Sequence, residues 1–271
     1  MAVVSELRVA IAGLGAVGKV IAHELDKGIP GLKLTAVSAK NVAKATEFIQ
    51  KLADPVPVVK LDELAAYADI VVECAPPELL PEIAGPVLAA GKKIVVLSVG
   101  ALLSHPELAE AAARHGGAIL VPTGALIGLD AVTAAAEGTI HSVHMTTRKP
   151  LKGLAGAPFL IENGIDVASI TIPTKIFCGS AREAAKGFPA NLNVSVALSL
   201  AGIGPDLTML EVWADPTVTR NTHRIEVESD TASFQMTIEN IPSENPKTGL
   251  ITAQSAIALL RKLSAPVKIG T

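Results

Sequence analysis

Apolar residues in the first half of the chain form short runs that alternate with stretches of helical spacing. Residues 8–12 and 32–37 are apolar runs typical of buried strands, whereas residues 16–25 and 41–52 place apolar side chains on one helical face. The alternation continues with strands at residues 68–74, 93–99 and 118–122 and helices at residues 79–90 and 106–115. This order predicts an α/β fold, a doubly wound parallel sheet of Rossmann type with right-handed crossovers.

The pattern changes in the second half, where strands follow one another with few helices between them. Helices are predicted at residues 181–186 and 193–200. The predicted strands are residues 139–147, 167–172, 176–177, 209–214, 222–228 and 232–239, the last three of them antiparallel. Strands gathered in this way indicate a second domain of the α+β class.

Composition narrows the class of protein. Apolar residues make up 49% of the 271 residues, and the mean hydropathy is +0.46. The long apolar runs at residues 94–103 and 194–203 are nevertheless shorter than the roughly 20 residues that a spanning helix needs. The first residues lack the basic and then apolar segments of a secretion signal. We therefore expect a soluble, cytoplasmic protein that does not bind membranes.

Charge and cysteine content argue against other classes. The net charge of −3, with one Trp, one Tyr and five Phe, does not fit a nucleic-acid-binding surface. Cys74 and Cys178 are too few for a disulfide framework and fit a reducing compartment. They also lack the spacing of metal ligands, so we predict no metal site.

Residues 13–18 read GLGAVG and fit the dinucleotide-binding pattern G-x-G-x-x-G. The motif follows an apolar strand and opens a helix close to the start of the chain, which is the context that the pattern requires. Gly13 permits the tight turn, Gly15 lets the backbone approach a pyrophosphate, and Gly18 lets the helix lie close to the strand. Ala16 and Val17, at the positive end of the helix, complete the predicted contacts. An ordinary glycine-rich connection is the alternative.

The residue expected to contact the adenosine ribose lies about 20 positions further on, at Ser38. An acidic side chain there would bind the ribose 2′-hydroxyl and repel a 2′-phosphate. This chain has no acidic residue there, and Lys40 lies nearby, so the cofactor is predicted to be NAD or NADP. The alternative for Lys40 is that it is only a solvated charge and does not contact the cofactor. Ala75 and residues 98–101 follow strands at the edge where such sheets line their cofactor crevice, although ordinary loops have a similar composition.

Among the histidines, His223 has the most suggestive surroundings. It starts a predicted strand at the end of the polar run 214–223, and a neutral imidazole there can exchange a proton near pH 7. His141 and His144, on another predicted strand, are alternates. On spacing alone, a solvated or structural role for His223 is favoured over a catalytic one. The other three histidines are His23, His105 and His115.

Several segments together resemble the L-aspartate dehydrogenase family. Besides residues 13–18 they are residues 98–102, 122–125, 188–194, 214–223, 239–242 and 245–248. The resemblance covers nearly the whole chain in order, and its second-half segments are more specific than the glycine motif. The chain departs from the family at two positions, with Ser38 where an acidic residue is frequent and Gly249 where serine is common.

The resemblance implies an activity and roles for single residues. It implies NAD(P)-dependent oxidative deamination of L-aspartate to oxaloacetate and ammonia through iminoaspartate, and the reverse reductive amination. His223 would be the catalytic acid/base, and Ala125 and Asn193 would contact the cofactor. The family also suggests a homodimer joined through strands of the second domain. Roles in NAD biosynthesis and in aspartate catabolism are both compatible with it.

The two carboxylates of aspartate require cationic or N–H donors in the site. We predict that Arg148, Asn221 and Lys247 bind the substrate. Each cation of the second domain can instead be a surface charge. The wider set of candidates also contains Lys149 and Lys175, with Thr146 and Thr147 as hydrogen-bonding groups.

These predictions divide the chain into two domains. Residues 1–125 would bind the dinucleotide, residues 126–247 would form the α+β domain for substrate binding and dimerisation, and a helix at residues 248–264 would pack back on the first domain. Two alternatives for the function stay open. One is a related dehydrogenase or reductase of another small dicarboxylate or imine, and the other is a non-catalytic sensor of NAD(P).

Overall fold

The computed structural model describes residues 6–189, 192–243 and 249–270. The chain forms two compact units, Met1–Pro122 with Ala253–Ile269 and Thr123–Thr252 with Gly270–Thr271. No helix within the described ranges has both the length and the apolar character needed to cross a membrane.

The first unit has five strands with helices between them. The strands are β1 (Leu7–Ala12), β2 (Leu32–Ser38), β3 (Ile70–Glu73), β4 (Lys93–Val96) and β5 (Ala118–Leu120). The helices are α1 (Ala16–Asp26), α2 (Val42–Ile49), α3 (Leu64–Tyr67), α4 (Leu80–Ala89), α5 (Glu107–His115) and, from the end of the chain, α10 (Ile251–Ser264).

The sheet of the first unit is parallel, with the strand order β2-β1-β3-β4-β5. Val58 forms an isolated parallel bridge to Val37 beyond β2, where Val37 N donates to Pro57 O at 3.0 Å and Val59 N donates to Val37 O at 2.8 Å. With this extra position, the strand order is that of a Rossmann sheet whose direction of progression reverses between β1 and β3. The predicted doubly wound fold is therefore confirmed.

Both faces of this sheet are covered. Val9 and Ile11 point into a core shared with α1 and α10, whereas Ala10 and Ala12 point into the core under α3, α4 and α5. Successive side chains of a strand lie on opposite faces, so a strand buried on both faces must be apolar throughout. This requirement explains why the strands of the first half are continuous apolar runs.

The second unit contains a five-stranded mixed sheet packed against helices. Its elements are α6 (Leu129–Ala135), β6 (Ile140–Lys149), α7 (Pro158–Glu162), β7 (Thr174–Ser180), α8 (Ala181–Gly187), α9 (Asn193–Ala201), β8 (Thr208–Ala214), β9 (Asn221–Ser229) and β10 (Ser233–Asn240). The strand order is β10-β9-β6-β8-β7. One face of the sheet is apolar and packs on helices, with Met145, Val212 and Ile225 at its centre. A sheet domain with helices on its buried face matches the predicted α+β class.

The structure corrects several predicted elements. Residues 167–172 are not a strand, because the Asp166 carboxylate accepts a hydrogen bond from Ala168 N at 2.9 Å and turns the chain into a 3-10 helix, Val167–Ser169. Strand β8 runs parallel to β6, not antiparallel to all its neighbours, because the chain crosses over through α7, β7, α8 and α9 before it returns. The short helices α3, α6 and α7 were not predicted, since four to seven residues carry too little periodicity.

Gly18 is the position at which α1 passes closest to the glycine turn. A Cβ atom there would lie 1.9 Å from Gly13 O. We expect Gly18→Ala to lower the free energy of unfolding by about 2 kcal/mol or more, because the helix must move away from the turn. Urea denaturation monitored by circular dichroism measures this change.

Gly85 in α4 supplies the matched control for Gly18. Apart from its chain neighbours and the backbone of its own helix, a Cβ atom at Gly85 would have no described heavy atom within 4 Å, and one of those neighbours is Pro86. Gly85→Ala should change the free energy of unfolding by less than about 1 kcal/mol, since the helix preference of alanine opposes the restriction that the following proline imposes. Equal unfolding midpoints for Gly18→Ala and the wild type would contradict the close packing of α1 on the turn.

Candidate cofactor and substrate sites

The glycine turn between β1 and α1 is held by backbone contacts that exclude side chains. Gly13 has a φ of +102°, and a Cβ atom on it would lie 2.5 Å from Cys74 O. Gly13 N donates to Ser38 O at 2.8 Å, which fixes the turn against the end of β2. Gly15 is exposed and caps α1, and a Cβ atom there would meet no described atom within 4 Å. The turn therefore presents open backbone at the positive end of a helix, as a pyrophosphate requires.

The first turn of α1 is suited to an anion by its charge as well as its shape. Ala16 is exposed and Val17 is half-buried, and the first turn of the helix contains no acidic residue. The helix dipole is thus not offset by a carboxylate at this end. These observations fit the predicted dinucleotide phosphates, and the individual contacts stay predictions.

Glu73 joins two loops at the carboxyl edge of the first sheet, and sequence reasoning missed it. It ends β3 and is fully buried. Its carboxylate accepts hydrogen bonds from Ala75 N at 2.9 Å, Leu97 N at 3.1 Å, and Ser98 N and Oγ at 2.8 and 3.0 Å. Burial raises the pKa of Glu73, and the four donors oppose that shift. The bonds to residues 97 and 98 explain why β4 ends at Val96, before the predicted residue 99.

The predicted ribose contacts lie at the end of β2. Ser38 is buried, and its carbonyl accepts the hydrogen bond from Gly13, so the β2 end and the glycine turn are directly connected. Lys40 is exposed two residues further on, just before Asn41 caps α2. Ala75 is half-buried, and its carbonyl accepts a hydrogen bond from Ser98 Oγ at 3.2 Å.

Polar residues replace apolar ones at one end of the buried face of the second sheet. Thr147 and Lys149 lie on β6, His223 and Asn221 lie on β9, and Asn240 ends β10. Thr147 pairs in register with His223, and Asn221 pairs with Asn240, so their side chains share one face. We call these five residues the polar end of the second sheet.

His223 is buried at the polar end, with 2% of its surface exposed. Its Nδ1 lies 2.6 Å from Thr147 Oγ1, so the hydroxyl fixes the orientation of the ring. Burial, and then the charge of Lys149, lowers the pKa of His223 to about 3. The imidazole is therefore neutral at physiological pH and can accept a proton.

Lys149 is the most unusual member of the polar end. Its side chain is 2% exposed, and no described residue forms a hydrogen bond or an ion pair with its ammonium group. Burial lowers its pKa from 10.5 to about 8. At neutral pH the second unit thus encloses a cation without a counter-ion, which is rare in protein cores.

The structure places the other predicted site residues differently. Arg148 lies on the opposite face of β6 from Lys149, where it pairs with Asp215 at 3.1 Å and stacks on Trp213 at 4.8 Å. Ala125 is half-buried, and its carbonyl accepts a hydrogen bond from Asn240 Nδ2 at 3.0 Å. Asn193 is the half-buried first residue of α9. Lys247 lies outside the described residues.

Sequence signals for the missed residues exist. Glu73 is an acidic residue at the end of an otherwise apolar strand. Lys149 follows the alternation Val143, Met145 and Thr147 by two residues, but the predicted strand ended at residue 147 and left it outside. Asn240 could have been found in the same way, as the next inward position after Ile238.

The unpaired charge of Lys149 is expected to lower the stability of the folded protein. A pKa decrease from 10.5 to about 8 corresponds to about 3 kcal/mol against the charged folded state. We expect Lys149→Met to raise the free energy of unfolding by about 2–3 kcal/mol at pH 7, because a similar volume is kept and the buried charge is removed. Urea denaturation at several pH values measures the difference.

The pH dependence of the stability gain in Lys149→Met tests whether the buried charge causes it. The pKa of Lys149 is lower in the folded than in the unfolded state, so the unfolded chain binds more protons between pH 8 and 10.5. The cost is fully present below pH 8, and the gain in Lys149→Met should shrink as the pH rises through this window. The matched control is Lys175→Met, whose exposed ammonium pairs with Glu211 at 2.9 Å and should contribute little. A loss of stability in Lys149→Met would contradict the unpaired charge.

Two family models match the two halves of the chain. Residues 13–122 match the NAD-binding domain of homoserine dehydrogenase, and residues 130–263 match the C-terminal domain of aspartate dehydrogenase. The first match lies within the first unit, and the second covers most of the second unit and continues into α10 of the first.

Relatives match over nearly the full length. The chain is 63% identical over 267 residues to L-aspartate dehydrogenase 3 of Bordetella bronchiseptica, covering 98% of each chain. It is 61% identical to L-aspartate dehydrogenase of Bradyrhizobium diazoefficiens, covering 98% of this chain and 95% of the relative. The crystal structure of aspartate dehydrogenase from Thermotoga maritima has the same fold, with a TM-score of 0.71, 24% identity, and coverage of 97% of this chain and 99% of that one. The chain belongs to the L-aspartate dehydrogenase family.

Proposed function

We propose that this protein catalyses the NAD(P)-dependent oxidative deamination of L-aspartate to oxaloacetate and ammonia through iminoaspartate, and the reverse reductive amination. The observation that carries the proposal is the buried, neutral imidazole of His223, oriented by Thr147 and placed beside the Lys149 ammonium. Burial keeps any buried histidine neutral, so the feature that sets His223 apart is the cation that acts on it, which a structural histidine does not need. Perturbed titratable groups at one location are typical of functional sites.

The first unit supplies the elements that a dinucleotide needs. The Gly13 turn, the open backbone at Gly15 and the free positive end of α1 fit the pyrophosphate. Ala125 and Asn193 would also contact the cofactor, as the family resemblance implies. When bound, the cofactor accepts a hydride from the substrate Cα at C4 of its nicotinamide.

His223 manages the protons of the reaction. In the tautomer that the proposal requires, Nδ1–H donates to Thr147 Oγ1, and the unprotonated Nε2 takes a proton from the substrate amine or from the water that attacks the imine. Such a positioned group contributes on the order of 10²–10⁴-fold in rate. Asn221 lies two residues from His223 on the same face and can add a hydrogen bond to the substrate.

Other features expected from the sequence belong to the same proposal. The protein would act in the cytoplasm as a homodimer joined through strands of its second unit. Arg148 and Lys247 remain proposed substrate contacts, although Arg148 already pairs with Asp215. A related small dicarboxylate or imine as substrate, and a sensor without turnover, are tested by the same assays.

The test is a spectrophotometric assay of both directions with both cofactors. We expect aspartate to support reduction of NAD or NADP, and His223→Ala to lower kcat/KM by at least about 100-fold, because the proton-transfer group is lost. The affinity for the reduced cofactor, measured by fluorescence, should stay within about twofold, since His223 lies outside the glycine turn.

His144 provides the matched control for His223. It lies on the exposed face of β6, and His144→Ala should keep wild-type kcat/KM. If the wild-type protein reduces neither cofactor with aspartate, and oxaloacetate with ammonia oxidises neither reduced cofactor, the proposed function is wrong. Cofactor binding without any turnover would support the sensor instead.

Cofactor preference depends on the end of β2, where Ser38 replaces an acidic residue and Lys40 is exposed. We expect NADP to be used, with Lys40 contacting the 2′-phosphate. Lys40→Ala should raise the KM for NADP by about 5- to 10-fold through loss of one charged contact and leave the KM for NAD within about twofold. Lys44→Ala, an exposed cation of α2, is the control. Equal effects of Lys40→Ala on both cofactors would exclude this role.

A further inference from the structure

The polar end of the second sheet contains a cation whose partner is absent from the described chain. We propose that Lys149 binds a carboxylate of the substrate and thereby selects an acidic amino acid. The inference rests on the proposed function and deepens it, since it names one residue that recognises the substrate. Its first support is the geometry: Lys149 is 2% exposed, no described residue pairs with its ammonium, and it lies on the same face as His223.

The location of Lys149 fits a substrate contact. Lys149 ends β6 two residues beyond Thr147, and Thr147 touches the His223 ring at 2.6 Å. On its other side Lys149 pairs in register with Ala214 of β8, whose side chain is small and carries no charge. A carboxylate bound to Lys149 would therefore hold the neighbouring carbon and amine of the substrate close to the imidazole.

The other cations of the same sheet are already paired. Arg148 is bonded to Asp215, and Lys175 is bonded to Glu211 at 2.9 Å on the face opposite to Lys149. Binding an anion at either would require breaking an existing ion pair. Lys149 requires no such exchange, because its ammonium group has no partner to release.

Electrostatics explain why such a cation can persist in the core. A buried ammonium destabilises the folded protein unless an opposite charge accompanies it. A substrate carboxylate supplies that charge, so part of the unfavourable interaction is relieved on binding. The pKa of about 8 keeps most of Lys149 cationic at neutral pH, as anion binding needs. A bound carboxylate would also offset the repulsion between Lys149 and a protonated His223.

The experiment compares the wild type with Lys149→Met and with the control Lys175→Met, which removes a cation from the opposite face. Succinate is the probe for binding, because it carries two carboxylates and no amine. Its dissociation constant is measured by calorimetry in the presence of each oxidised cofactor, and kcat and KM for aspartate are measured in parallel. Urea denaturation establishes that each variant is folded.

We expect Lys149→Met to weaken succinate binding, and to raise the KM for aspartate, by about 30-fold or more, as the loss of a charged hydrogen bond implies. Lys175→Met should change both by less than about twofold. Folded Lys149→Met with wild-type succinate affinity overturns the proposal. So does a fall in kcat alone, which would make Lys149 a proton-transfer group.

The outcomes also separate this proposal from the proposed function. Wild-type protein that binds succinate in a Lys149-dependent manner but does not oxidise aspartate would refute the function and support the carboxylate site. If the wild type oxidises aspartate and Lys149→Met keeps the wild-type succinate affinity and KM for aspartate, the function is supported and the carboxylate site is refuted. Wild-type protein that neither binds succinate nor oxidises aspartate would refute both.

Discussion

A lysine ammonium enclosed beside a histidine, in the core of a mixed sheet, is the constraint around which the second unit is built. The apolar contacts of Met145, Val212 and Ile225 at the centre of the same face must offset the cost of that charge. Thr147 then holds the imidazole from the neighbouring strand, and burial, together with the charge of Lys149, keeps the imidazole neutral. The substrate site proposed at Lys149 would thus reduce stability through an unpaired buried charge, which is a common arrangement in functional sites.

The cofactor site proposed in the first unit differs from this arrangement, because it consists of backbone groups. The turn at Gly13 leaves no room for a side chain, and α1 presents N–H groups without an acidic residue in front of them. Within the described part of the first unit, Glu73 is the one buried charge near this edge of the sheet, and four donors surround it. Its carboxylate connects the loops after β3 and β4, so a charge that is fully hydrogen-bonded serves to fix backbone that would otherwise be free.

Lys149 and Glu73 show how differently a protein core can treat a charge. Glu73 accepts four hydrogen bonds and organises its surroundings, whereas Lys149 has no described partner and is available to a ligand. Burial shifts the pKa of each group towards its neutral form, and only the hydrogen bonds around Glu73 oppose that shift. The contrast between the two charges is consistent with a structural role for Glu73 and with the binding role proposed for Lys149.

The sequence by itself determined the alternation of strands and helices, the glycine turn of residues 13–18 and the family to which the chain belongs. These features are local, since each depends on the spacing of neighbouring residues or on a short motif. It also singled out His223, through its resemblance to the family's motif. It did not rank Arg148 against Lys149, because the two are adjacent and a period of two assigns them to opposite faces without saying which face is buried.

Only the tertiary structure decided which of Arg148 and Lys149 lies on the buried face, and which partners the buried groups have. The register of β6 against β9 brings Thr147 to His223 across 76 positions of sequence, and the pairing of β3 with β4 brings Ser98 to Glu73. The parallel course of β6 and β8, which the sequence reasoning missed, sets Ala214 beside Lys149. Such contacts depend on strand order and register, which are set by packing over the whole sheet and leave no periodic signal in the sequence.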